Sequence, residues 1–284
     1  MNISLTTVAL PHLSLEETVE LAARLGYDGI ELRVRRIPPQ MLGQPYSFWG
    51  NHKNDLSPDN FVRLAPRIKQ LCADHGLAVP ALASNATAAD LDDLRRLAEG
   101  SAICGCPLVR IGAPRRYDGS VPYREIYAEA VEAFGRALEV VGSFGVRGLL
   151  EIHAGTVAIS ASLAYRLVSN FAPESIGVIY DVQNMVKEGF EGARLGLDIL
   201  GPYLAHVHVG GHAPQPGARD AHGTLSWVWK ATELADGLLS MPDLLAELRR
   251  VGYDRFITVE DFRTDVDAET KFGRAAEYLR RLEV

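Results

Sequence analysis

A chain of 284 residues, 47% hydrophobic and 23% charged, can bury a sizeable core, and its formal charge of -7 is the wrong sign for a protein that grips nucleic acid by its phosphates. Three cysteines, Cys72, Cys104 and Cys106, are too few for a disulfide framework, and no apolar run reaches the ~20 residues of a membrane span. The N-terminal stretch has no charged region followed by an apolar one, so no signal peptide is expected and the cytoplasm is the expected location.

Short apolar runs alternate with longer amphipathic ones along the whole chain. "ISLTTV" (3–8) precedes a helical pattern over 14–26, where Ser14 and Glu17 form a capping-box signal. "DGIELRV" (28–34) leads, after a long connection, to a helix over 57–76 that Pro66 is expected to kink or divide. "LAVPALAS" (77–84) precedes a helix over 88–106, and "PLVRIGA" (107–113) a helix over 123–145. Cys104 and Cys106 flank one glycine, but no second pair completes a metal site, and buried thiols are the commoner reading. "RGLLEIH" (147–153) then pairs with 160–171, "SIGVIYD" (175–181) with 192–203, "LAHVHVG" (204–210) with 241–252 and "RFITVED" (255–261) with 269–282.

Eight strand–helix pairs in strict alternation predict a parallel sheet covered by helices, an α/β fold whose eight units favour closure into a (β/α)8 TIM barrel. An open doubly wound sheet is the alternative, but no glycine-rich phosphate loop follows the first strand. No linker or change of composition divides the chain, so residues 1–284 read as one domain. Two connections, 35–56 and 210–239, are too long for simple turns. Each follows a strand and precedes a helix, which puts both at the C-terminal mouth of a barrel, where substrate sites and lids are built.

In the stretch "VRGLLEIHAG" (146–155), strand alternation puts Leu149, Glu151 and His153 on one face and Leu150 and Ile152 on the other. An ionised carboxylate emerging from packed core needs a partner. The next three strands end alike, in Asp181, His208 and Glu260. Neighbouring strands converge at the mouth, and three carboxylates gathered there repel one another unless a cation lies among them. One imidazole with three carboxylates suits one divalent ion, Mn²⁺ first, with Mg²⁺, Co²⁺ or Zn²⁺ behind it.

The segments "GYDGIEL", "LLEIHAG", "GVIYDVQN", "LAHVHVGG" and "RVGYDRFITVEDF" together resemble the xylose isomerase-like TIM barrel superfamily, the sugar phosphate isomerase/epimerase group that also includes abasic-site endonucleases, along essentially the whole chain. The resemblance implies that Glu151, Asp181, His208 and Glu260 bind one divalent metal, and that Glu151 and Glu260 act as bases as well as ligands. Related ketose epimerases carry a histidine where this chain has Asn184, so different substrate contacts are expected. The histidine-rich cluster of the endonucleases is not reproduced.

Further inward-facing or loop residues are candidate substrate contacts: His153, Arg110, Asn184 and Glu31 near the strand ends, and Trp49, Arg219 and Lys230 in the long connections. His153 suits proton shuttling or a solvated rim equally. Arg110 suits an oxyanion or a carboxylate such as Glu31, and His206, one layer deeper than His208, suits a support role rather than ligation. His212 and His222 are weaker candidates, and the loop tryptophans offer faces to sugar rings.

The expected activity is a metal-dependent isomerase or epimerase working on a keto sugar, sugar acid or related polyol, by proton abstraction next to a carbonyl. A metal-dependent lyase or dehydratase is the alternative. A nuclease or a non-catalytic sugar-binding barrel fits less well. The expected partner is a small carbohydrate, with neither nucleic acid nor membrane, and the sequence leaves homo-oligomer formation open.

Overall fold

A computed structural model describes residues 1–284. In chain order the strands are β1 (Asn2–Thr6), β2 (Gly29–Val34), β3 (Leu82–Ser84), β4 (Leu108–Arg110), β5 (Arg147–Glu151), β6 (Ile176–Asp181), β7 (Leu204–Val209), β8 (Gly211–Arg219), β9 (Leu225–Thr232) and β10 (Phe256–Val259). The helices are α1 (Leu15–Arg24), α2 (Pro58–Asp74), α3 (Leu91–Cys104), α4 (Tyr123–Gly142), α5 (Ala161–Val168), α6 (Val182–Glu188), α7 (Ala193–Leu200), α8 (Met241–Arg250) and α9 (Ala268–Arg281). All the strands except β8 and β9 form a closed barrel in the order β1-β10-β7-β6-β5-β4-β3-β2, every pairing parallel. The eight-unit TIM barrel expected from the alternation is therefore present. No helix is long and apolar enough to cross a membrane.

Strand alternation separates two interiors. Outward residues such as Ile3, Ile30, Val178, Val207 and Ile257 join the large core between barrel and helices. Ala81, Leu108, Leu149, Ile179 and Ala205 form a small apolar layer inside the barrel. Above it the inward positions turn polar, and this change of character locates the site.

Local chemistry explains most elements. Ser14 Oγ accepts from the Glu17 N–H at 3.2 Å while Glu17 Oε2 accepts from the Ser14 N–H at 2.7 Å, so the capping box opens α1 as the sequence predicts. Pro66 does not divide α2, which runs unbroken over 17 residues. One lost backbone bond is tolerated because Phe61, Ala65, Ile68 and Cys72 bury a continuous face on either side of it. The cysteines are buried and free, and burial raises all three thiols, Cys72 to about 12 and Cys104 to about 11, as befits packed core positions.

Two elements are absent from the sequence reading. α6 follows β6 without a loop, because Asp181 caps it by accepting from the Asn184 N–H at 3.0 Å. The connection 210–239 is an antiparallel hairpin of β8 and β9, closed by a turn in which Asp220 Oδ1 accepts from the backbone of His222 and Thr224. Pro214 and Pro216 hid this strand from a propensity reading, and a two-stranded ribbon with free edges is where prolines fit a sheet.

Candidate metal centre

Glu151 ends β5, Asp181 ends β6, His208 lies near the end of β7 and Glu260 follows β10 directly. Strand register makes Asp181 and His208 lateral partners. His208 Nδ1 lies 3.5 Å from Glu151 Oε1, 3.8 Å from Asp181 Oδ2 and 3.6 Å from Glu260 Oε1. The structure thus brings together all four residues named from the strand ends. Gly210 permits this approach: a Cβ there would lie 2.3 Å from the Gln183 amide and from Glu260 O, and Gln183 Nε2 donates to Glu260 O at 3.0 Å.

The layer beneath orients the imidazole. His208 Nε2 donates to Glu31 Oε2 at 3.0 Å, and that oxygen also accepts from His206 Nε2 at 2.8 Å and Thr258 Oγ1 at 3.2 Å. With one proton held on Nε2 by Glu31, Nδ1 is the nitrogen that faces the three carboxylates. Nδ1 is buried and has no hydrogen-bond partner. Buried polar atoms are rarely left so, and this one is the donor a metal would take. The atoms of Glu151, Asp181 and His208 lie within 4.8 Å of one another. Glu31, His206 and His208 are equally close, but the shared Glu31 oxygen is already occupied by hydrogen bonds. The donor set fits one divalent cation above His208.

Charges in the protein alone point the same way. Burial pushes Glu260 up to about 8, reinforced by Asp181, Glu151 and Glu31. Burial would also raise Glu151, but the Arg110 guanidinium and His208 overcome it and hold that carboxyl well below its usual range. Burial would lower His208, yet Glu31 and Glu260 raise it well above an ordinary imidazole. A divalent cation would replace that imidazole proton among the carboxylates.

The centre opens into a cavity of about 890 Å³ at the C-terminal mouth. A second cavity, about 980 Å³ and more apolar, lies at the opposite end, where Asn2, Leu108 and Phe256 begin their strands, away from these carboxylates. His153, Arg110, Asn184 and Trp49 line the first cavity. Arg110 is ion-paired with Glu151 through Nε, not with Glu31. Asn184 Nδ2 donates to Asp181 Oδ2 at 2.6 Å, so it orients a candidate ligand. His153 Nδ1 donates to Ala154 O at 2.8 Å, which leaves Nε2 toward the cavity. Trp49 meets Phe262 in a tilted arrangement, 40° between planes and 5.3 Å between ring centroids, and carries the Arg35 guanidinium 5.1 Å from its ring centre.

Three of the expected substrate contacts lie elsewhere. Glu31 is 1% exposed and sits beneath His208, on the far side of the imidazole from the cavity. Arg219 lies near the hairpin tip and donates to Gly223 O at 2.6 Å, and Lys230 pairs across the ribbon with Ala213 and faces solvent. The hairpin holds both outside the cavity lining. Conversely, Arg35, Gln183 and Lys187 line it without having been singled out. The signal for Arg35 was readable: Glu31, Arg33 and Arg35 are spaced by two, so β2 carries one charged residue per layer into the barrel.

The family described as xylose isomerase-like TIM barrel matches residues 19–282. Among solved structures, the IOLI protein with a bound zinc atom superposes with a TM-score of 0.75 at 17% identity, covering 99% of this chain and 98% of that one. The probable 3-DHS dehydratase AsbF from Bacillus anthracis gives 0.73 at 17% identity, covering 99% of each chain. The 3-keto-D-glucoside 4-epimerase YcjR from E. coli gives 0.71 at 15% identity, covering 100% of this chain and 99% of that one. No curated protein matches the sequence closely enough to be counted.

Proposed function

The chain belongs to the xylose isomerase-like TIM barrel family, and from that premise we propose that it is a divalent-metal-dependent isomerase or epimerase acting on a hydroxy-carbonyl compound of the sugar, sugar-acid or polyol class. The observation that carries the reading is His208 Nδ1, buried, unpartnered and within 3.8 Å of a carboxylate oxygen from each of Glu151, Asp181 and Glu260. Bound among these four side chains, a divalent cation supplies the positive charge that acidifies a C–H beside a carbonyl. Mn²⁺ is the first ion to try, and the zinc in the IOLI structure makes Zn²⁺ the second.

The protein's own groups handle the proton. Glu151 and Glu260 reach the cavity from strands separated by β6 and β7, so they approach a bound substrate from different directions. One removes a proton and the other returns it to the opposite face or to the neighbouring carbon. Arg110 keeps Glu151 ionised and fixes one of its oxygens, while Gln183 pins the backbone of Glu260. Trp49 and Phe262 form an apolar edge of the cavity against which a substrate can pack.

Two solved relatives of the fold, the YcjR epimerase and the D-allulose 3-epimerase from Methylomonas, support the epimerase side of the reading. AsbF, a probable dehydratase, supports a second reading, in which His153, in the form protonated on both ring nitrogens, holds Ala154 O through Nδ1 and gives its Nε2 proton to a leaving hydroxyl, which departs as water. A mass-resolved screen of keto sugars and sugar acids in heavy water with Mn²⁺ tests both. Deuterium gain at one carbon supports the first reading, and loss of 18 Da supports the second. No exchange and no mass change with any substrate would overturn both.

A further inference from the structure

The carboxylates of the cavity are committed to the metal centre, yet its wall carries more positive than negative charge. Arg35, Arg110, Arg115, Arg116 and Lys187 line it, against Glu151 and Glu260, in a chain whose overall charge is -7. Arg110 is paired with Glu151 and Arg115 with Glu129. Arg35 differs from these. Its backbone is fixed by donation to Leu56 O at 2.9 Å, and its guanidinium lies against Trp49. It makes no ion pair, and its Nε is buried without a partner. Its near neighbours in charge are two more arginines, Arg33 and Arg110, and, more weakly, the carboxylates Glu151 and Glu260 of the candidate metal centre. Arg33 is itself 1% exposed, with Nε and Nη1 unpartnered and only Nη2 satisfied, by Gly50 O at 3.1 Å.

A guanidinium whose Nε is buried without a partner, beside a second arginine that is almost fully buried, is costly unless an anion completes it. Stacking on Trp49 leaves the edge of the Arg35 fork free, and that fork matches the two oxygens of a carboxylate or phosphate. We propose that the substrate carries an anionic group, a carboxylate or a phosphate ester, received by Arg35 while its hydroxy-carbonyl end faces Glu151 and Glu260. Arg33 strengthens the field from beneath, and Lys187, which has no ion pair, adds positive charge at the rim. This inference rests on the proposed function for the placing of the hydroxy-carbonyl end. The anion subsite itself rests on Arg35, Arg33 and Trp49 alone.

Trp49 beneath the guanidinium provides a readout that needs no turnover. Malonate and inorganic phosphate are titrated separately into the whole protein at constant ionic strength while tryptophan fluorescence is followed. A saturable change is expected with one of them, and the better of the two identifies the anion as carboxylate or phosphate. Arg35→Gln should weaken that binding at least 10-fold, and Trp49→Phe should abolish the signal. Arg35→Lys, which keeps the charge but not the fork, should bind with intermediate strength and serves if the glutamine variant does not fold. No saturable change with either anion, or affinity unchanged in both Arg35 variants, overturns the proposal. Saturable binding in a protein that exchanges no substrate proton keeps the anion subsite and removes the isomerase reading. Exchange of a neutral ketose such as D-fructose without anion binding does the reverse.

Discussion

His208 and Glu31 are joined by one hydrogen bond, Nε2 to Oε2 at 3.0 Å, and that bond decides which imidazole nitrogen faces the three carboxylates. In the proposed function Glu31 would therefore serve as a positioning residue, acting on the candidate metal centre through the imidazole, and it does not line the cavity.

Glu31→Gln offers an amide whose NH₂ competes for the same nitrogen, and it loosens the tautomer. Metal affinity should fall by about 10- to 100-fold, the usual cost of losing an outer partner of a ligating histidine. Competition with a chromophoric chelator measures this. His208→Ala is the reference and should lose most of the metal by elemental analysis. Equal metal content in His208→Ala and the parent protein would sink the assignment of the centre.

Glu151→Gln and Glu260→Gln each keep an oxygen for the ion but are no base at neutral pH. Solvent-proton exchange at the substrate carbon should drop by about 10²-fold or more, out of proportion to any loss of metal. If metal-loaded Glu260→Gln exchanges deuterium as fast as the parent, the proton is handled elsewhere and His153 is the next residue to change.

Above about pH 6.5 the metal-free protein should lose stability as pH rises through 8; below that, His52, His206 and His212, whose burial disfavours their protonated forms, contribute the opposite slope. Glu260, raised from 4.5 to about 8, holds a proton in the folded chain that the unfolded chain has released across that window. His208, raised well above 6.5, does the same above neutrality. Both therefore give a negative slope of unfolding free energy with pH. Metal replaces those protons, so the gain in Tm on adding Mn²⁺ should grow from pH 6 to pH 8. A gain that shrinks with pH would contradict the linkage.

Trp49→Ala removes the apolar edge beside the centre and the surface under Arg35, so substrate KM should rise several-fold with metal content unchanged. Lys230→Ala and Arg219→Ala alter groups that the hairpin holds outside the cavity, so their steady-state kinetics should match the parent. A large effect from Lys230→Ala would mean that the ribbon folds over the mouth during turnover.

The barrel was legible because alternation of short apolar runs with helical patterns is a long-range regularity that survives errors at any one boundary. The four strand-end residues were legible for a related reason, since one inward polar residue at the end of each of four successive strands breaks an otherwise apolar pattern. Loop geometry was not. Lys230 and Arg219 have suitable chemistry, but only the pairing of Ala213 with Lys230 and the bond from Arg219 to Gly223 O show where they point. The depth of Glu31 is not legible in the sequence: the residue is 1% exposed and meets His208 at Nε2, not at the nitrogen that faces the carboxylates. Arg35 was missed because it lies past the last strand residue, although the spacing from Glu31 and Arg33 continues through it.

The seam of the barrel joins residues far apart in the chain: Ser4 Oγ and Thr258 Oγ1 lie 2.7 Å apart across a separation of 254 positions. β10 at that seam is followed at once by Glu260, so a ribosome must have delivered nearly the whole barrel before the last of the four donors exists. Closing so long a loop is slow relative to local helix formation. Until β10 is made, the nascent chain carries Glu151, Asp181 and His208 but lacks the fourth proposed donor, Glu260. Uptake of metal during synthesis or refolding should consequently mark the last step of assembly, and its rate would time the closure of the sheet.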